Sequence, residues 1–432
     1  MPTVYDDSIL KKLNLFFLTP AISSNQMVLT EYEHITNDKI VMESSNFTMG
    51  LLGGKKFNLG SYVIPDFSVK IRYDGKNYKG KLCRVWLEFS GQTYGIIFGK
   101  VYKEELSAQR DILTIYISNI FSEAMNKKIG YNTIFGENQT ITVENFYRNL
   151  LCETYIACGF FRDEMYQLIE TIVEDFSERF FEFKKINIYK LDEDETLEIS
   201  SIWKMFGEFV GAHIQISYPL VFNEQEGKSL DIKPSDANIK LVRIDNSLDL
   251  TIPKNSTLPS NELYPMGIKT VSNSITLLFP SQNVLPSFET KPLELLQNAY
   301  HIPPYYINCV YDEWAYTDYE AINFEFEDIA FMCVSNQNQI PQRIYEINGN
   351  KMFFNKSSNE CLEIVSKVLG YLKTKKYIPS SLDMIFNPTF KPGDNIVITT
   401  SRNEILAIPI LNCEVSGINC LRAKIESSAT VE

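Results

Sequence analysis

The densest chemistry in this 432-residue sequence is the run Tyr311-Asp312-Glu313-Trp314-Ala315-Tyr316-Thr317-Asp318-Tyr319-Glu320. Its carboxylates, Asp312, Glu313, Asp318 and Glu320, alternate with the rings of Tyr311, Trp314, Tyr316 and Tyr319. Paired carboxylates among aromatic rings are what a glycosidase cleft needs: one acid protonates the leaving group, and the other attacks or activates water. The same four aromatics would also anchor a protein partner, because large amphipathic rings dominate interface energetics. A plain surface loop is the third reading, and the run alone does not choose among them.

Elsewhere the reactive side chains are scattered. His34, His213 and His301 are the three histidines and fall in separate parts of the chain, so a metal triad or a nucleophile and base would require convergence from three distant segments. Each reads as a structural residue. Gly50 to Gly54, followed by Lys55 and Lys56, lacks both the Gly-Lys-Ser/Thr order and the succeeding helix of a phosphate-binding loop. Asp192-Glu193-Asp194-Glu195 lacks the glycine and the twelfth-position Glu of a calcium loop and reads as a solvated helix start. The eight cysteines, at 83, 152, 158, 309, 333, 361, 413 and 420, have no paired zinc spacing and imply a reducing compartment. Cys413 and Cys420, flanking the last hairpin, read as small buried apolar residues. No catalytic, metal or cofactor-binding residue is expected from these patterns.

The balance of 41 basic and 54 acidic residues gives a net charge of −13, which argues against a duplex-binding surface, since neutralising phosphates needs clustered Lys and Arg. Aromatic residues make up 13% of the chain and suit strands and interfaces. A chain of this length forms two to four domains and buries roughly 75% of its unfolded surface. Met1 to Leu10 has no basic region, and Leu13 to Leu18 is too short and interrupted for a signal peptide or a membrane span. The expectation is a chain neither exported by its own signal nor anchored in a membrane.

At the N-terminus, Tyr5 to Leu18 reads as a short helix stopped by Thr19-Pro20. From Lys39 the pattern alternates: strands are expected at 40–47, 57–73, 79–90, 93–102 and 112–118, with Tyr73-Asp74-Gly75-Lys76 as a hairpin turn. Thr142 caps a helix ending near Cys158-Gly159, a second runs from Arg162 to Phe181, and a third from Thr196 to Gly211 leads into a strand at His213. Short strands then return at 241–245, 247–252, 267–271 and 274–279, followed by a helix from Lys291 to Tyr300. Strands at 305–310, 321–327, 331–334 and 344–347 precede a helix from Cys361 to Leu372, capped by Ser357 or Ser358, whose apolar face is Leu362, Val365, Val368, Leu369 and Leu372. Pro392-Gly393-Asp394 is turn chemistry, Pro presetting φ and Gly accepting the positive φ that follows, with Asp394 able to tie the turn down. Strands at 395–400, 405–415 and 420–425 close the chain.

That closing segment resembles the end of the hub proteins at bacteriophage tail tips and baseplates. The upstream block is similar to the same family through Phe57-Asn58-Leu59-Gly60-Ser61 and the strand Gly95-Ile96-Ile97-Phe98-Gly99-Lys100-Val101, and the third helix is similar through its Gly211-Ala212 ending. The resemblance implies a β-rich α+β fold with two tube-like antiparallel β-barrel domains and α/β insertions. On that scheme 1–38 is an N-terminal arm, 39–135 the first tube-like domain, 136–216 a helical α/β insertion, 217–350 the first part of the second tube-like domain, 351–384 a helix insertion and 385–432 its closing strands. It further implies a homotrimer in the virion, assembled in the bacterial host cytoplasm, with tail tube or distal tail protein above, tape-measure protein and DNA in the channel, and spike, lysin or fibre proteins below. No specific nucleic-acid binding, membrane anchor or cofactor is implied. Three copies would bring −39 formal charges, three times −13, and hence an acidic or neutral channel wall. Many family members carry a lysin domain after the hub; here the last strand is followed by Glu432, so wall-degrading activity is expected on another polypeptide. The alternative is a tail-associated carbohydrate-active enzyme or glycan-binding module using the carboxylates of the 311–320 run.

Overall fold

The computed structural model describes residues 12–23, 26–41, 44–53, 57–89, 92–218, 224–244, 268–271, 274–278, 299–302, 308–312, 319–336, 340–373, 380–384, 388, 390–399, 405–417 and 422–427. The first β-block contains β1 (Lys12–Ser23), β2 (Gln26–Ile35), β3 (Asn46–Gly50), β4 (Asp66–Arg72), β5 (Leu82–Phe89), β6 (Gln92–Leu106) and β7 (Ile112–Asn119). Its alternating strands behave as period-2 sequences must. Phe67, Val69 and Ile71 of β4 point inward opposite Ile117, Ile115 and Leu113 of β7.

Two expectations fail here for physical reasons. Leu13 to Leu18, expected in a helix, lie in β1, which pairs with β2 on one side and β5 on the other. Every residue from Leu13 to Leu18 is buried, and apart from Asn14 the stretch is apolar, a short run that periodicity cannot tell from a buried helix. Asp74-Gly75 does turn the chain, with Gly75 at φ 83° and the Lys76 amide donating to Asp74 Oδ1 at 3.1 Å. The flanking strands nevertheless do not form a hairpin: β4 pairs with β3 and β7, while β5 pairs with β1 and β6.

After a short helix at Phe121–Met125 come three longer ones: α1 (Val143–Ala157), α2 (Arg162–Arg179) and α3 (Ile199–Val210). Thr142 caps α1 by accepting from the Asn145 amide at 3.3 Å. The apolar faces meet in an aromatic cluster in which Tyr147 lies 4.6 Å from Phe176, 5.7 Å from Phe206 and 5.9 Å from Trp203 between ring centroids. Each such fully buried side chain contributes about 1.5–3 kcal/mol. The polar tips are satisfied too: Trp203 donates to Thr154 Oγ1 at 2.9 Å, and the Tyr147 hydroxyl accepts from the Leu241 amide at 3.1 Å. Gly211, at φ 66°, ends α3 in the left-handed conformation that Gly adopts at low cost.

Strand β8 (His213–Ser217) pairs with β9 (Asn238–Val242). Just past β9, Arg243 fastens three elements. Its guanidinium donates to the Val210 and Gly211 carbonyls at 2.8 and 3.1 Å, pairs with Glu182 at 2.8 Å, and lies 4.7 Å from the Phe180 ring and 4.8 Å from that of Tyr371.

The second β-block contains β10 (Ile268–Val271), β11 (Ser274–Leu278), β12 (Ala299–Ile302), β13 (Asn308–Asp312), β14 (Ala321–Phe326), β15 (Ile329–Val334), β16 (Ile344–Asn348), β17 (Ser380–Met384), β18 (Asn395–Thr399), β19 (Ile405–Pro409), β20 (Asn412–Ser416) and β21 (Arg422–Ser427). Strand β12 includes Tyr300, expected in a helix; the rest of that helix, 291–298, and the strand expected at 247–252 lie outside the described residues. The span expected as one strand, 405–415, is two, broken at Ile410-Leu411 and shared between sheets. Helix α4 (Ser358–Leu372) carries a full capping box between Ser357 and Glu360. It packs on the three-stranded sheet β15-β14-β16, Cys333 Sγ standing 3.5 Å from Ser366 Oγ. Leu362, expected on its apolar face, is exposed, and Cys361 and Ile364 are buried instead.

The β-rich α+β class is therefore the fold. Six strands of the second block continue the seven of the first in a thirteen-stranded sheet, in the order β10-β11-β13-β17-β21-β20-β3-β4-β7-β6-β5-β1-β2. The joint is β3 against β20, with Phe47 opposite Val415 and Met49 opposite Cys413, all four buried. The Leu51 amide extends the ladder to the Leu411 carbonyl at 2.7 Å.

Candidate assembly site

The segment Phe57 to Ser61 is where the first block, the helices and the second block meet. The Gly60 amide donates to the Ala212 carbonyl at 2.7 Å, and Ser61 accepts from the Ile214 amide at 3.1 Å, which fixes the segment against the end of α3 and the start of β8. From the other side, the Tyr345 hydroxyl accepts from the Leu59 amide at 2.9 Å, and the Tyr319 hydroxyl donates to the Phe57 carbonyl at 3.3 Å. Gly60 has φ 67°, and a Cβ there would stand 2.2 Å from the Lys204 carbonyl oxygen. On α3, a Cβ at Gly207 would lie 2.5 Å from Gly60 Cα. Helix and segment thus touch backbone to backbone, which two glycines permit.

The Pro392-Gly393-Asp394 turn sits on the same wall. Gly393 has φ 93°, Asp394 Oδ2 accepts from the Lys391 amide at 3.2 Å, and the Gln215 side chain donates to the Pro392 carbonyl. A Cβ at Gly393 would meet Leu51 of the first block at 3.3 Å. The turn therefore closes the second block against the first.

Two titratable groups flank this wall. His213 is fully buried with its ring 5.0 Å from that of Phe57, edge to face. Burial, against a smaller opposing pull from the Asn58 backbone, lowers its pKa to about 4. Glu208 on α3 is pushed up to about 7 by burial, with Lys204 and the Asn350 amide pulling the other way. The unfolded chain binds a proton at His213 more readily than the fold does, so stability is full above about pH 6.5 and falls as pH drops toward 4, by about 3 kcal/mol at most. Glu208 acts oppositely, since its fold-held proton stabilises at low pH and that contribution is lost from pH 4.5 to 7. A His213→Phe variant is expected to gain melting temperature relative to the wild type progressively between pH 6.5 and 4; an unchanged difference across that range would show that His213 is not held neutral.

The sheet offers two free margins: among the described residues, β2 pairs only with β1 and β10 only with β11. Unpaired strand edges are templates for pairing with another chain. Away from the sheet joint, an open groove of about 1020 Å³ lies between the α1–α2 turn, the ends of β5 to β7 and the 230–235 segment. Phe161 and Leu230, 52% and 44% exposed, stand among its lining residues.

The 311–320 run does not gather into a cleft among the described residues. Tyr311 and Asp312 belong to β13, and Glu313, Trp314, Tyr316 and Asp318 lie outside the described residues. Tyr319, expected at a partner contact, is instead core: it is 2% exposed and packs on Phe57 and Tyr345, because its hydroxyl finds a buried backbone acceptor. Glu320 pairs with Arg343 at 2.8 Å and accepts from the Gln342 amide at 2.6 Å; Arg343 foremost holds its carboxyl below the usual range, the opposite of what a general acid needs. His34 Nε2 lies 3.0 Å from Asn14 Oδ1. In the acidic run, Glu195 pairs with Lys351, and Asp194 accepts from the Asn132 amide at 3.4 Å. No three His, Cys, Asp or Glu side chains converge on a metal-sized site among the described residues. No described helix is long and apolar enough to cross a membrane. Sequence reasoning missed Arg243 and Glu208, which carry no local motif and take their roles from distant partners.

No protein-family model matches the sequence, and no curated protein matches it either. Among solved structures, the chain is similar to a tail protein from Neisseria meningitidis MC58, at 8% identity and a TM-score of 0.45, over 96% of this chain and 95% of that one. It is similar to the 43 kDa tail protein of prophage MuSo2 from Shewanella oneidensis, at 9% identity and a TM-score of 0.43, over 97% and 100% of the two chains. It is also similar to the prophage tail protein gp18 from Listeria monocytogenes EGD-e, at 9% identity and a TM-score of 0.41, over 96% and 93%. Likenesses this distant assign no role to any residue.

Proposed function

We propose that this chain is a structural hub of a phage or phage-tail-like tail tip, a homotrimeric ring that joins the tail tube to distal spike, lysin or fibre proteins and surrounds the channel for tape-measure protein and DNA. The observation that carries the reading is the thirteen-stranded sheet, in which strands of the two β-blocks are joined through β3 and β20 and, among the described residues, one edge of β2 and one edge of β10 are left without a partner strand. Such a unit extends by repetition: the β2 margin of one copy meets the β10 margin of the next, a heterologous contact that closes into a ring when the rotation per copy divides the circle. The element order of the sequence and its Phe57 to Ser61 motif, placed where both blocks and α3 meet, support the same reading. The acidic balance suits a wall that does not retain DNA.

The test is the mass of the purified chain in solution. Light scattering after size exclusion is expected to give three times the 49.7 kDa chain mass, with threefold particles in negative-stain images. A monomer that clears cell-wall substrate would overturn the reading in favour of an enzyme.

A further inference from the structure

Glu208 occupies a position that suits an uncharged carboxyl better than a carboxylate. It stands in the last turn of α3, near the negative end of the helix dipole, with its side chain 14% exposed. The groups around it compensate a negative charge weakly. Asn350 Nδ2 lies 3.3 Å from Oε2, and from α3 itself Lys204 Nζ is 4.0 Å from Oε1. From β16, the Tyr345 phenol brings no positive charge, and its hydroxyl accepts from the Leu59 amide. The other cations near this wall are committed elsewhere, Lys351 to Glu195 and Arg243 to Glu182, and His213 is uncharged at neutral pH. Asn350 holds the seam from the opposite side: it also donates to the Met205 carbonyl at 2.8 Å and accepts from the Met352 amide at 3.0 Å.

We propose that the seam between α3 and the wall formed by Leu59, Tyr345 and Asn350 is a proton-responsive latch, closed while Glu208 carries its proton and loosened when the carboxylate forms. The proton leaves to solvent along the exposed edge of the side chain. Glu208 titrates at about 7 in the closed seam, against 4.5 when exposed, so the ratio of open to closed seam rises about tenfold between pH 6 and pH 8. Acid therefore tightens the contact that holds the helices to the joint between the β-blocks, and mild alkali slackens it.

Hydrogen exchange of the full chain, followed by mass spectrometry on peptides covering 57–61 and 345–353 and corrected for intrinsic base catalysis, reads this directly. The wild type is expected to show about tenfold more opening at pH 8 than at pH 6, and Glu208→Gln to show a ratio near one. Glu208→Met, uncharged and without a hydrogen-bond requirement, is the second variant should the amide fail to fold. A wild-type ratio below twofold overturns the proposal, as does a tenfold ratio that persists in either variant.

Discussion

A Gly60→Ala variant is expected to lose about 3 kcal/mol or more of folding stability, or to fail to accumulate as soluble protein. Two costs add. The left-handed backbone at φ 67° penalises a Cβ by about 1–2 kcal/mol. The new methyl would also stand 2.2 Å from the Lys204 carbonyl oxygen, a backbone atom that moves only if α3 moves, and overpacking of this kind costs a further 1–3 kcal/mol or so. Gly75→Ala is the control, because Gly75 has φ 83° with nothing within 4 Å of its virtual Cβ and so bears the first cost alone. Urea midpoints for the two variants and the wild type separate the contributions. Equal losses in both variants would mean that α3 does not rest on Gly60.

Arg243→Ala is expected to cost about 1.5–3 kcal/mol, because it removes a charge-assisted hydrogen bond from the half-buried Glu182. It also strips donors from the Val210 and Gly211 carbonyls and removes the cation stacked between Phe180 and Tyr371. Arg243→Lys is expected to recover less than half of that loss, since a lysine ammonium neither forks between two carbonyls nor stacks as a plane. Arg148→Ala, which breaks the more exposed Glu170 pair at 2.8 Å, is expected to cost no more than about 1 kcal/mol in the same denaturation series. An Arg243→Ala loss as small as that at Arg148 would reduce Arg243 to a surface ion pair.

The parts of the fold legible in the sequence are those written by local chemistry. Thr142 and Ser357 announce their helices because a side-chain oxygen must satisfy an orphan amide. Gly211 and Gly393 mark a helix end and a turn because both take positive φ. What stayed hidden depends on residues far away in the chain. Leu13 to Leu18 look helical until β2 and β5 are seen to pair with the two edges of the strand. The Asp74-Gly75 turn looks like a hairpin until β7, some forty residues on, is found beside β4. Tyr319 reads as a sticky surface ring, and only the Phe57 carbonyl and the Tyr345 ring make it core. The candidate site was legible as the Phe57 to Ser61 motif, but its meaning comes from Lys204, Gly207 and Ala212, which no spacing connects to Gly60.

The pairing of β3 with β20 sets the order in which this protein can mature. Residues 46–50 leave the ribosome early, while their partners at 412–416 follow about 360 positions later. At ~5–20 residues per second, the wait is roughly 20–70 s. During that interval one edge of β3 lacks its native partner, a hazard for mispairing between nascent chains, and loop closure over so long a separation makes the step slow even after release. The last strands therefore complete the sheet: a chain truncated before residue 412 lacks the ladder that joins the two β-blocks.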